Sequence, residues 1–274
     1  MAERTGTAQT LEPKEVPSSD SSRKIRFVRL LPYAIAFLTI LGGWQVAALI
    51  FPSYLIPSPR QVFLRLSKEL GREAFLLTIA RSFMRLAIGF TLACLLGLVV
   101  GLISGVWPFV RRYSRALVSI LQSVPLIAWV PLFIILLGFG DSPIVLVILI
   151  AAFFPMAVSV MNAVEQVDAL HIDVARLLGA TRTQLISKVY APEVIPAIVT
   201  GAQVGFGNAW RSLIAAEMVG GVNVGLGWYI NFAGEIADMV AVLAGILVIG
   251  IFSALLDGYL LERLKRRLLR WKYI

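Results

Sequence analysis

Long apolar runs separated by short polar segments dominate this chain. The runs carry no charged residue, and they cover residues 30–59, 86–110, 116–140, 142–164, 194–210 and 240–256. A helix needs about 20 predominantly apolar residues to cross the hydrocarbon core of a bilayer. The pattern therefore predicts an all-α integral membrane protein with six transmembrane helices, at about residues 31–51, 82–106, 116–139, 143–163, 197–218 and 239–260.

The same pattern divides the chain into a membrane domain and two tails. Residues 1–29 are rich in Ser, Thr, Pro and Glu, a composition typical of disorder, and residues 263–274 form a basic tail. The membrane domain then covers residues 30–262. The apolar run after Arg29 is too long for a cleavable signal peptide, so we expect it to remain as the first span. The composition agrees, with 58% hydrophobic residues and a mean hydropathy of +0.84.

Basic residues indicate which ends of the spans face the cytoplasm. The net charge is +9, and the basic residues cluster at residues 23–29, 111–115 and 263–272. Because cytoplasmic segments collect Lys and Arg, this distribution predicts that both termini and residues 167–196 are cytoplasmic. It also explains the charge without a nucleic-acid partner. Residues 57–85 are the exception, since they are basic but would lie outside, and we expect an amphipathic helix there at the outer interface.

The polar segment at residues 167–198 has clear signals for a short helix. Asp168 is a good N-cap, because its carboxylate can accept hydrogen bonds from free backbone N–H groups of the first turn. Gly179 stands where a helix can end through a left-handed residue. Between them lies an apolar stripe at helical spacing, formed by Leu170, Val174, Leu177 and Leu178. A short helix with such a stripe is suited to insertion into a groove of a partner.

A second helix is predicted directly after the glycine. Thr181 and Gln184 have the spacing of a capping box. We expect Pro192 to end this second helix, and Pro196 to lie in the first turn of the next span. The segment should therefore form a helix, a glycine turn and a second helix before the chain re-enters the membrane.

The residues of this loop resemble the cytoplasmic signature loop of ABC-importer permeases. That family has Glu-Ala-Ala, three residues, Gly, nine residues and then Ile-x-Leu-Pro; Asp173, Val174 and Ala191 depart from it conservatively. In the family, the loop docks on the ATPase subunit. The resemblance therefore implies a coupling loop at residues 167–196, with its contacts at Leu170, Asp173, Val174, Ala175, Leu177, Leu178, Gly179, Ala180 and Pro192.

Further motifs are similar to those of permeases for sulfonates, taurine and nitrate. They include Leu55-Ile56-Pro57-Ser58-Pro59 after the first span, the small-residue run Gly97, Gly101 and Gly105, and the prolines Pro125, Pro131 and Pro155. The glycines repeat every four residues, so they line one face and allow another helix to approach closely. The prolines are expected to interrupt helices within the membrane. The resemblance implies a MetI-like core of five helices in the bacterial cytoplasmic membrane. It also implies a homodimer with two ATPase subunits, which would bind ATP and Mg, and a separate substrate-binding protein. This chain has no GxxxxGK[ST] phosphate loop, so we expect it to bind no cofactor and to have no ATPase site.

Polar residues inside the spans are candidates for the translocation pathway. They are Gln122, Ser123, Trp129, Asn162, Gln203, Asn208, Arg211 and Glu217. Arg211 and Glu217 lie about 240° apart around a helix, so we expect that they do not pair with each other. Arg211 could attract an anionic substrate, and the alternative is a structural ion pair with another helix or with the second copy.

The sequence disfavours the functions that compete with that of a permease. The single histidine, His171, cannot build a His-rich metal site or a buried catalytic triad, so a membrane enzyme is disfavoured, and we expect no catalytic residue and no metal. A stand-alone carrier or channel would leave the docking loop unexplained. The expected cargo is a small anion such as a sulfonate, taurine, nitrate or bicarbonate, and a vitamin precursor or an aromatic acid is the alternative.

Overall fold

The computed structural model describes residues 19–256, with side chains from residue 31 onward except at residues 105 and 106. All regular structure in that part of the chain is helical. The chain divides at Pro59 into two units. The first unit holds α1 (Ser19–Ile50), of which Leu31–Ile50 is long and apolar enough to cross a membrane. Residues 19–29 are helical, whereas the sequence predicted disorder there. The predictions for residues 1–18 and 257–274 concern positions outside the described residues.

The second unit contains the remaining helices. Their bounds are α2 Pro59–Leu70, α3 Glu73–Val106, α4 Pro108–Gln122, α5 Trp129–Leu137, α6 Asp141–Glu165, α7 Ala169–Leu177, α8 Arg182–Leu185, α9 Ala191–Val219, α10 Leu226–Glu235 and α11 Met239–Leu255. A 3₁₀ turn at Leu126–Ala128 precedes α5, and a π-helical turn at Ile186–Tyr190 joins α8 to α9.

Helix α6 is the centre of this unit and packs against both α3 and α9. Small residues allow the close approach that the glycine spacing predicts. A Cβ added at Gly97 would lie 2.8 Å from the Cγ of Met156, and one added at Gly101 would lie 2.5 Å from the Cβ of Val160. Both partners belong to α6 and are nearly fully buried. Side chains larger than hydrogen would therefore force α3 away from α6.

The third predicted span is not one continuous helix. Helices α4 and α5 are separated by a break with a bend of 83°, so the predicted span over residues 116–139 is interrupted, as its prolines indicate. Pro125 lies in this break and precedes the 3₁₀ turn. Proline has no N–H to donate and disfavours helical geometry in the residue before it, which explains the interruption. By contrast, Pro131 lies near the start of α5 and Pro155 lies inside α6 without breaking it.

The other spans differ from prediction mainly at their ends. Helix α3 begins at Glu73 and α9 at Ala191, both earlier than the apolar runs indicate. Within residues 19–256, three helices are long and apolar enough to cross a membrane, and the bent α4–α5 pair would add a fourth. Helix α11 is apolar but shorter, at 17 residues. The total of six spans stays a prediction.

Candidate functional site

The segment after α6 forms the short capped helix that its sequence predicts. Asp168 is the N-cap of α7, and its carboxylate accepts a hydrogen bond of 2.9 Å from the backbone N–H of Leu170. At the other end, Gly179 has φ +80°, a conformation that residues with a side chain rarely adopt. The N–H of Ala180 donates to the carbonyl of Ala175 over 3.0 Å, which closes the helix end. Both ends of α7 are thus fixed by local hydrogen bonds.

The apolar stripe of α7 is exposed along its whole length. The exposed fractions are 64% for Leu170, 46% for Val174, 87% for Leu177 and 83% for Leu178. Asp173, on the same helix, lies 3.6 Å from Arg176 in an exposed ion pair. A contiguous run of large exposed apolar side chains on a polar, capped helix marks a surface for a partner.

The second half of the loop agrees with the prediction at its start and differs at its end. Thr181 and Gln184 form the predicted capping box, with hydrogen bonds of 2.8 and 3.3 Å. The prediction that Pro192 ends this helix is wrong, because the chain continues through the π-helical turn into α9. Pro192 lies in the first turn of α9, where a missing N–H costs little. Pro196 consequently lies inside α9 and not at its start.

A cavity of about 450 Å³ opens between α4, α6 and α9. Gln122, Asn162 and Asn208, three of the predicted pathway residues, line it together with Ser159 and Thr200. The remaining wall is apolar. Such a cavity, with few polar groups on largely hydrophobic walls, has the character of a small-molecule site.

Arg211 stands next to this cavity on α9. It is exposed on this chain, and its Nη2 donates to Asn208 Oδ1 over 2.8 Å. Arg211 follows the lining residues Val204 and Asn208 by seven and three positions, so it continues their face of the helix. A cation exposed on an apolar helix requires a partner or water, because lipid would not solvate it.

Three other predicted pathway residues do not line the cavity. The hydroxyl of Ser123 donates to the carbonyl of Ile120 over 2.6 Å. The ring of Trp129 stacks on Phe133 with centroids 6.0 Å apart. Gln203 is half-buried on α9 and is absent from the cavity wall.

Glu217 lies in a buried ion pair and not on the cavity wall. Its Oε1 accepts a 2.6 Å hydrogen bond from Arg85, and the exposed fractions of the two side chains are 0% and 3%. Ser82 and the backbone N–H of Gly227 also donate to the carboxylate, over 2.8 and 2.9 Å. As the helical spacing predicts, Glu217 and Arg211 have different partners.

Arg85 holds this part of the protein together, and sequence reasoning missed it. Beyond Glu217, its guanidinium donates to Asp141 at the start of α6 and to the carbonyl of Val224, each over 2.8 Å. It therefore connects α3, α6, α9 and the segment before α10. The available signal was an arginine inside an apolar helix, which must find a carboxylate.

Comparisons with known proteins agree with this architecture. The model of the family described as the binding-protein-dependent transport system inner membrane component matches residues 94–269, more than half of the chain. The taurine transport system permease protein TauC of Escherichia coli (strain K12) is 36% identical over 235 residues, covering 83% of this chain and 84% of TauC. The putative aliphatic sulfonates transport permease protein SsuC of Bacillus subtilis (strain 168) is 32% identical, covering 89% and 86%.

A nitrate permease and a solved structure extend the comparison. The nitrate import permease protein NrtB of Leptolyngbya laminosa is 30% identical over 268 residues, covering 92% of this chain and 94% of NrtB. A structure of the MetNI methionine ABC transporter in an inward-facing conformation matches with a TM-score of 0.59, at 22% identity over 72% of this chain and 99% of that chain. That likeness shows a shared helical fold. The chain therefore belongs to the family of inner membrane components of binding-protein-dependent transport systems, and it is a multi-pass permease subunit of an ABC importer.

Proposed function

We propose that two copies of this chain form the transmembrane pathway of an importer for a small organic or inorganic anion, of the sulfonate type. A binding protein would deliver the substrate, and two separate ATPase subunits, holding ATP and Mg, would drive alternating access from the cytoplasmic side. The exposed apolar stripe of α7 carries this proposal. A capped helix that leaves four large apolar side chains uncovered requires a partner surface.

The docking role has a direct test in Leu177. Its side chain is 87% exposed, so an acidic residue there should not disturb the fold. A leucine buried in a partner groove contributes about 1.5–3 kcal/mol. We expect Leu177→Asp to weaken co-purification of the ATPase at least about tenfold and to abolish ATP-driven uptake.

Thr183→Asp is the matched control for that variant. Thr183 is exposed in the same loop but off the stripe, and an acidic residue in the first turn of α8 is compatible with the helix dipole. The control should keep its ATPase subunit. Equal recovery of the ATPase with both variants would show that the stripe is not the docking surface.

The anionic substrate is proposed from the position of Arg211 beside the cavity. Three relatives carry the names of transport systems for taurine, aliphatic sulfonates and nitrate, all small and bearing an anionic group. The cavity wall itself offers only neutral polar groups, and Arg211 hydrogen-bonds to one of them, Asn208. Arg115 likewise reaches Asn162, but its charge is compensated by Glu165 at 2.7 Å. A guanidinium can hold a sulfonate or nitrate through paired N–H donors.

Uptake by the reconstituted transporter tests this assignment. With a taurine-loaded or nitrate-loaded binding protein outside, Arg211→Met should lower transport by about tenfold or more, the effect expected for one lost hydrogen bond to a charged group. Hydrolysis of ATP and recovery of the complex should be unchanged, because Arg211 is exposed on this chain. Arg60→Met, at an exposed position of α2, serves as the control. Undiminished anion uptake by Arg211→Met would remove Arg211 from the pathway.

A further inference from the structure

A second, smaller cleft lies away from the cavity, where the turn between α3 and α4 meets the loop. Its volume is about 190 Å³, and it is lined by Trp107, Arg176, Arg182, Leu185, Ile186 and Tyr190. Leu185 is 8% exposed and forms an apolar floor. The cleft thus combines two guanidinium groups, two amphipathic aromatic rings and an aliphatic base.

The two arginines of this cleft carry positive charge that nearby carboxylates neutralise poorly. Arg182 has no carboxylate within ion-pair distance among the described residues. Arg176 has only Asp173, at 3.6 Å, and both side chains of that pair are roughly two-thirds exposed. The contrast is with Arg115 on α4, which lies 2.7 Å from Glu165. The cleft therefore favours an anion.

The position of Arg176 separates the cleft from the predicted ATPase contact. At 100° per residue, Arg176 lies roughly 150° around α7 from the centre of the apolar stripe. When the stripe faces a partner, the Cα–Cβ bond of Arg176 points away from that partner. The anion that binds here is accordingly not expected to come from the same partner surface.

The aromatic residues place the cleft at the boundary of the bilayer. Trp107 follows α3 directly and is 49% exposed, while Tyr190 immediately precedes α9. Trp and Tyr are enriched at this depth because one part of each ring system is apolar and the other polar. Arg112 of α4 is also exposed, and it adds a further cation five positions after Trp107.

We propose that this cleft binds the phosphodiester headgroup of an anionic phospholipid. The guanidinium groups of Arg176 and Arg182 donate to the phosphate oxygens, and Trp107 and Tyr190 contact the glycerol region. Basic pockets beside membrane helices have this chemistry. The lipid would connect the α3–α4 turn to the segment between α7 and α9. This inference goes beyond the transport function and does not depend on the identity of the cargo.

Lipid titration of the purified complex, with its ATPase subunit present, tests the proposal by native mass spectrometry. The probes are phosphatidylglycerol, phosphatidylcholine with the same acyl chains, and inorganic phosphate. Wild type should retain phosphatidylglycerol in preference to phosphatidylcholine. Arg176→Gln and Arg182→Gln should each weaken that retention about fivefold. The Lys variants at the same positions should recover most of it, since they keep the charge.

Arg60→Gln is the control for the two glutamine variants. It removes an exposed arginine on α2 and should leave lipid retention unchanged. Equal retention of phosphatidylglycerol by wild type and the double glutamine variant would overturn the proposal. So would equal losses for both lipids, or displacement of the lipid by inorganic phosphate. Loss of the ATPase subunit with unaltered lipid binding would assign the arginines to the protein interface instead, and that result also contradicts the proposal.

Discussion

Loss of the charge on Arg85 should strongly lower the free energy of unfolding, because Arg85 is paired with the buried Glu217. The substitution Arg85→Met removes the charge and keeps a long apolar side chain. Glu217 would then remain fully buried, with Ser82 and the N–H of Gly227 as its donors. Two neutral donors do not replace a guanidinium at 2.6 Å. Removing one partner of a buried ion pair costs about 3–5 kcal/mol, and we expect a loss in this range.

The two partners of the pair should not be equivalent. After Glu217→Met, Arg85 still has Asp141 at 2.7 Å, and the side chain of Asp141 is 43% exposed to solvent. The remaining charge is therefore compensated, and the loss should be smaller than for Arg85→Met. In the double variant no uncompensated buried charge remains, although the N–H of Gly227 and the hydroxyl of Ser82 lose their acceptor, at about 1–3 kcal/mol. Arg85→Met alone should be the least stable of the three.

Equilibrium unfolding in mixed micelles with increasing SDS measures this order. The unfolding free energies of wild type, both single variants and the double variant form a double-mutant cycle. Asp141→Asn is the control, because an ion pair with a solvent-exposed partner contributes only about 0–1 kcal/mol. If the two single losses simply add in the double variant, the charges do not interact as the structure indicates. A loss below about 1 kcal/mol for Arg85→Met would refute the reasoning altogether.

Three further predictions concern packing and backbone geometry. Gly101→Leu should destabilise the protein severely, because its side chain would overlap Val160 and separate α3 from α6; thermal unfolding measures the loss. Gly227→Ala should also be poorly tolerated, since a Cβ there would overlap the carbonyl oxygen of Ile214, and the yield of folded protein reports it. Asp168→Ala removes the N-cap of α7 and should cost about 1 kcal/mol locally, seen as faster amide exchange in that helix with little change in global stability.

Local signals in the sequence predict well how the segment between α6 and α9 folds. Asp168, Thr181 and Gly179 each act within three residues of their own position, through hydrogen bonds or backbone geometry that the residue type itself determines. The glycine spacing of α3 likewise predicts the close packing on α6, because a repeat of four residues places Gly97 and Gly101 on one face.

Long-range pairing explains most of what the sequence did not predict. Arg85 is 132 positions from Glu217 and 56 from Asp141, and no local pattern connects them. Without those partners, Arg85 counted only as a basic residue outside the membrane, so α3 was expected to begin later than Glu73. The break at Pro125 is signalled locally, because a proline can interrupt a helix, but the same residue type at Pro155 produces no break. Residue type alone therefore does not determine which proline separates two helices.

The contacts along α9 indicate where the chain would bend if α7 moved. At one end, α9 is fixed to α3 by Glu217 and Arg85, and along its middle it packs on α6. At its other end, α9 follows a π-helical turn at Ile186–Tyr190 and contains Pro196. A π-helical turn and a proline both weaken the regular ladder of backbone hydrogen bonds. If a partner displaces α7, bending at this joint breaks fewer contacts than bending at the ion pair. The part of α9 beyond the joint should therefore move as one body with α3 and α6.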